Sequence, residues 1–207
     1  LRRSSSISSS FSAFEYEQSD LAWDILKSFS LLSVKEGKGS MHRLLAQALR
    51  SSHSEKATRH NLRICVDAMR SMWTFKPEQI ETWKESLQVL EHVKSVVSHS
   101  PDCGFGAAYT LKTGQLSKEA GIFSAMALNA FIEAQTSLEL SLKLLESAEA
   151  VNKPPFRKAR AEALHELGRV FRYQGSYVDS ERSLLDSLKI SHGLNRKDGA
   201  VRQGVAD

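Results

Sequence analysis

Residues 161–190 read AEALHELGRVFRYQGSYVDSERSLLDSLKI, and this stretch decides the fold. Leu164, Leu167, Gly168 and Phe171 recur at three- and four-residue steps, which places them on one face of a helix. Gln174-Gly175-Ser176 interrupts the run, because glycine readily takes the positive φ of a tight turn. A second stripe follows at Tyr177, Ser180, Leu184, Ser187 and Leu188. Gly168 has no side chain, so the second helix can approach the first closely there. The pattern predicts two amphipathic helices folded back on each other.

Those residues resemble a tetratricopeptide repeat, a helix-turn-helix unit of about 34 residues with small and large side chains at fixed slots. Ser180 and Ser187 stand where the family usually has alanine, and Leu164 where it has an aromatic. A divergent unit is expected over 107–150. There Asn129-Ala130-Phe131 takes the place of Gly175-Ser176-Tyr177, and Ala134, Leu138, Ser141 and Leu142 correspond to Ser180, Leu184, Ser187 and Leu188. Its first helix departs from the pattern, with Ile122 in the glycine slot and Ala125 in the aromatic slot. The prolines of Val151-Asn152-Lys153-Pro154-Pro155 make a stiff break before the later unit, 157–194. His192-Gly193-Leu194-Asn195 reads as a turn, and 195–207 as the start of a further, truncated repeat.

Toward the other end, residues 1–19 form a serine-rich lead-in with too little apolar surface to offset chain entropy. Arg2-Arg3-Ser4-Ser5 within it has the form of a basophilic kinase site. Asp20 can cap a helix lined by Leu21, Ile25, Leu26 and Phe29. A short strand at Leu31-Leu32-Ser33-Val34, a Gly-rich turn, a second strand at Ser40-Met41-His42 and a helix over 43–50 follow. This order makes the back half of a winged helix over 20–55. Residues 56–100 read as a helical joint, with Leu62, Val66 and Met69 in register on one helix. Pro77 is expected in the first turn of the next, which carries Trp83, Leu87, Leu90 and Val93. Trp73 and Trp83 are expected as large packing residues, and His92 as a core member.

The stretch WDILKSFSLLSVKEGKGSMHRLLAQALR is similar to the end of the winged-helix domain in NB-ARC-type signalling ATPases of the STAND class. Met41-His42 matches the first two positions of that family's Met-His-Asp motif, and His42-Arg43-Leu44 follows the form of members with tetratricopeptide arrays. The Trp83 region and Leu90-Glu91-His92-Val93 also resemble the segment joining wing to repeats. The resemblance implies a mostly α fold: a truncated winged helix with a small β-hairpin, then a right-handed α-solenoid of helical hairpins. It also implies that His42 touches the β-phosphate of ADP in a full-length protein, where ADP or ATP is the cofactor and self-association is expected. For this stretch alone no cofactor is expected, because no Gly-x-x-x-x-Gly-Lys-Ser/Thr loop is present.

The 207 residues carry a formal charge of +4, without a dense basic run interleaved with aromatics. Nucleic acid is therefore not an expected partner. No apolar run of about 18 residues marks a membrane span. Cys65 and Cys103 are isolated thiols, which suggests a reducing, cytoplasmic setting and no metal framework. The first residue is not methionine, and the chain reads as a piece of something longer. Catalysis is not expected, since neither a Ser-His-Asp set, paired carboxylates nor a metal cluster falls at a spacing that one pocket gathers. Stacked hairpins instead offer a concave surface to a protein or peptide. In the later unit its inner residues are expected to be Glu162, His165, Arg169, Arg172 and Tyr173, with Phe123 and Met126 at the corresponding positions of the earlier unit. Phe123 and Met126 argue against a carboxylate clamp spanning both units. The whole reads as a non-enzymatic interaction scaffold, the sensor arm of a signalling ATPase. The alternatives are a nucleotide-dependent switch using His42 in the full-length protein, and a free-standing adaptor.

Overall fold

The computed structural model describes residues 32–35, 38–41, 47–48, 51–147 and 152–203, with side chains of 47–48, 51–147 and 152–194. The lead-in, its Arg2-Arg3-Ser4-Ser5 string, the expected helix after Asp20 and His42 lie outside those residues. The chain divides into two compact units, residues 1–54 and 55–207. In the first, strands β1 (Leu32–Lys35) and β2 (Lys38–Met41) pair antiparallel, with Leu32 opposite Met41 and Lys35 opposite Lys38.

The second unit is helical. Its helices are α1 (Glu55–Met72), α2 (Glu81–Ser98), α3 (Ala107–Leu128), α4 (Phe131–Ser147), α5 (Pro154–Tyr173) and α6 (Tyr177–Gln203), with a 3-10 turn at Pro101–Cys103. Each helix packs on the next in sequence, and α3 also packs on α1 and α5. The result is a layered, solenoid-like arrangement of helical pairs. Pro77 lies in the connection before α2 and not in its first turn, which starts at Glu81. Leu87 is 50% exposed and His92 is also exposed, so both leave the expected apolar stripe.

The α5/α6 pair forms as the sequence predicts. An added Cβ on Gly168 would lie 2.7 Å from Leu184 Cγ, so the glycine is what admits Leu184. Ser180 Oγ donates to the Gly168 carbonyl at 2.7 Å, and Ser187 Oγ to the Ala161 carbonyl at 2.6 Å. Rising numbers on α6 meet falling numbers on α5, so the helices are antiparallel. The two serines do more than fill an alanine slot, because each satisfies its buried hydroxyl on the partner helix.

The α3/α4 pair repeats these contacts. Leu138 sits over Gly121, whose added Cβ would lie 2.8 Å from Leu138 Cγ, and Ser141 Oγ donates to the Gly114 carbonyl at 2.7 Å. The turns match as well, with Asn129 at φ 53° and Gly175 at φ 79°. The glycine slot of the earlier unit is therefore Gly121 and not Ile122, and Ser124 rather than Ala125 corresponds to Phe171. Thirteen residues separate Gly121 from Ala134 where twelve separate Gly168 from Ser180, which displaced the expected register by one.

Among the described residues, three apolar clusters fill the unit. The largest joins Trp73, Phe75, Val93, Val97, Leu116 and Phe123, among others. Trp73 and Trp83 pack as expected, their rings 6.0 Å and 6.4 Å from Phe75. A second cluster joins α4 to α5 through Ala134, Leu138, Leu167 and Val170, with Phe171 packed against it. Beyond Ile190 the expected turn does not occur. α6 runs unbroken through His192-Gly193-Leu194-Asn195 to Gln203, so residues 198–203 continue it instead of opening another repeat. Gly193 lies close under Arg157, whose Nη2 donates to the Ile190 carbonyl at 3.3 Å.

Polar contacts tie α1 to α3. Asp67 accepts from Lys112 Nζ at 2.7 Å and from the Tyr109 hydroxyl at 2.6 Å, and Arg70 pairs with Glu119 at 2.9 Å. The Lys112 and Tyr109 hydrogen bonds hold the Asp67 carboxyl below its ordinary range. A depressed carboxyl stabilises the fold above its unfolded pKa, and that contribution is lost as pH falls through the folded value. In acid titrations followed by circular dichroism, Asp67→Asn is expected to lose stability less steeply than the parent below about pH 4. Superimposable titrations would contradict this.

Candidate functional site

Gly168 and Gly121 draw α6 and α4 against α5 and α3, and the flank of α5 about a quarter turn around from Gly168 borders a valley beside the α6 contact. The 3-4-3 spacing of Glu162, His165, Arg169 and Arg172 carries them down α5 as one line. A cavity of about 940 Å³ opens between α3, α5 and the end of α6, lined in part by Lys118, Ile122, Lys158, Glu162, His165 and Glu166. A smaller notch of about 270 Å³ shares Ile122 and Glu166 with it, and is walled by Met126, Phe131, Arg169 and Tyr173 among others.

Four of the five expected residues thus line either the cavity (Glu162, His165) or the neighbouring notch (Arg169, Tyr173). Arg172 does not line either part; its guanidinium lies over the Tyr173 ring, 5.6 Å from the centroid. Arg169 is half-buried and tied to Glu166 at 3.0 Å. The two arginines therefore do not form a joint grip for a carboxylate. Glu162 pairs across the helices with Lys118 at 2.5 Å. Of the expected counterparts on α3, Met126 lines the notch, but Phe123 is 1% exposed and belongs to the core. With Gly121 matched to Gly168, the α3 residue corresponding to His165 is Lys118, which the displaced register concealed.

Tyr173 closes the notch. Its ring stacks on Phe131 with centroids 5.2 Å apart and planes at 19°. Arg169 and then Arg172, beside its hydroxyl, hold its pKa below the usual tyrosine range, since their positive charge favours the phenolate. In an NMR titration the Tyr173 ring is expected to ionise at lower pH than a free tyrosine, and Arg169→Gln to move its midpoint upward. A midpoint indifferent to Arg169→Gln would break the link.

Among the described residues no three His, Cys, Asp or Glu side chains are grouped to hold a metal ion, and no helix is long and apolar enough to cross a membrane. Cys65 and Cys103 are both free thiols. The valley offers apolar walls, fixed ion pairs and an exposed imidazole, an arrangement suited to holding a chain segment. No family model, curated protein or solved structure matches this chain.

Proposed function

We propose that this chain is a non-enzymatic protein-interaction scaffold that holds a protein or peptide segment in the valley along α3 and α5. The observation that carries the reading is the open cavity at Lys118, Glu162 and His165 with the adjoining notch at Arg169 and Tyr173, built on two helical pairs that repeat the same contacts. The glycine and serine contacts at matched positions also support tetratricopeptide-like units stacked as a right-handed solenoid. Together with the resemblance around Met41-His42, they support the winged-helix and repeat arm of an NB-ARC-type signalling ATPase, acting in the cytoplasm. Peptides selected on the immobilised chain from a display library are expected to lose at least about tenfold in affinity against His165→Glu, one ten-fold step being worth about 1.4 kcal/mol. Peptides that bind this variant as well as the parent would place their site elsewhere.

A second reading, a nucleotide-dependent switch in which His42 contacts ADP, is favoured by the Met-His match alone. An imidazole at a helix start suits an anion. Calorimetry with this chain is expected to show neither tight ADP binding nor ATP turnover; micromolar ADP affinity would contradict the scaffold reading. A free-standing adaptor is told apart by the upstream coding sequence, where a phosphate-binding loop favours the ATPase arm and a start codon near Leu1 the adaptor.

A further inference from the structure

Lys158, His165 and Arg172 fall two helical turns apart on α5, so they stand in one row along the helix with a step of about 10.5 Å. All three are exposed. Lys158 and His165 border the cavity, and Arg172 continues the row beyond it. Among the described residues none of the three meets a carboxylate; Arg172 rests over the Tyr173 ring instead. The carboxylates of the valley are Glu162 and Glu166, and each is already engaged, Glu162 by Lys118 and Glu166 by Arg169. From α6 the cavity wall receives Ser187, Ser191 and Leu194, none of them charged. The balance leaves Lys158 and Arg172 as cations in excess. The imidazole between them donates a hydrogen bond in either protonation state.

We propose that the occupant of the valley is an acidic amphipathic helix laid along α5, with carboxylates at every seventh position meeting Lys158, His165 and Arg172. This rests on the reading of the valley as a partner site and specifies the partner's chemistry. Charge selects the acid, because the row offers cations that lack a carboxylate of their own. The fold selects the helix. Among its described residues the helical unit has no strand edge to pair with, so an extended segment would leave its backbone groups without partners. A helix satisfies its own backbone and shares the rise of α5, so it keeps register at each step. Its apolar side meets Ile122, Pro155 and Leu194 on the cavity wall.

The test uses a fluorescein-labelled, alanine-rich peptide of about 20 residues, long enough to hold a helix, with leucines beside three glutamates set at heptad spacing. It is titrated with the whole chain by fluorescence polarisation. One matched peptide carries lysine for each glutamate, and another carries the same glutamates side by side. The heptad-spaced glutamate peptide is expected to bind at least about tenfold tighter than the lysine peptide and about fivefold tighter than the clustered one. Lys158→Glu and Arg172→Glu, both at exposed positions, are each expected to weaken the glutamate peptide about fivefold and to strengthen the lysine peptide. Equal affinity for the glutamate and lysine peptides, or indifference to both charge reversals, would overturn the acidic occupant. If display-selected peptides then still depend on His165, the valley stands as a partner site without it; if they do not, both readings fall.

Discussion

Replacing Phe123 with alanine is expected to destabilise the helical unit by about 3–5 kcal/mol, the usual cost of emptying an aromatic core position. The ring is 1% exposed and meets Phe75 edge-on at 5.1 Å and Trp73 at 5.7 Å. It is the point where α3 closes on the aromatic connection between α1 and α2, and edge-to-face packing adds to the area it buries. Neighbours drawn from three elements cannot all collapse into the space it would leave. Urea denaturation followed by circular dichroism measures the change. A loss below about 1 kcal/mol would mean that Phe123 faces the valley, as its sequence position suggests.

The second large effect is at Gly168. Glycine within a helix is ordinarily about 1 kcal/mol worse than alanine, so on propensity alone any side chain there would help. Packing reverses the sign. The first carbon added already falls 2.7 Å from Leu184 Cγ, 2.9 Å from its Cδ2 and 3.2 Å from the Ser180 carbonyl oxygen. A leucine side chain can turn away, but the backbone oxygen moves only with α6. Gly168→Val, which adds a β-branch to that contact, is expected to cost about 2–3 kcal/mol and to break the Ser180–Gly168 hydrogen bond. Thermal melts that place the variant at or above the parent would show that α5 and α6 do not meet here.

The α5/α6 pair was legible because its signals are local: a 3-4 stripe, Gly175 at the turn, and Gly168 twelve residues before Ser180. The α3/α4 pair carries the same contacts, but one additional residue before the turn rotates the assignment by about 100° around α3. That single step put Ile122 in place of Gly121, turned buried Phe123 toward the valley and hid Lys118. Gly193 and Asn195 read as a turn because their local preference is for one. The opposing contact, Arg157 reaching the Ile190 carbonyl, spans 33 residues and leaves no trace in the pattern. The expected surface residues fall on α5 in order because that helix's own stripe was legible. Its ion pairs were not foreseen, since Lys118 and Glu162 lie 44 residues apart.

The claim beneath all of this is that α5 and α6 lie antiparallel with Gly168 against Leu184, which sets the flank of α5 that borders the valley beside α6. A double-mutant cycle of Gly168→Ala and Leu184→Ala, read by urea denaturation, tests it most directly. Trimming Leu184 removes the atoms that an alanine at 168 would strike. The pair is therefore expected to be more stable than the sum of the single changes by about 1 kcal/mol or more, as contacting residues are. Strict additivity of the two changes would contradict the contact, and with it the hairpin and the valley built on it.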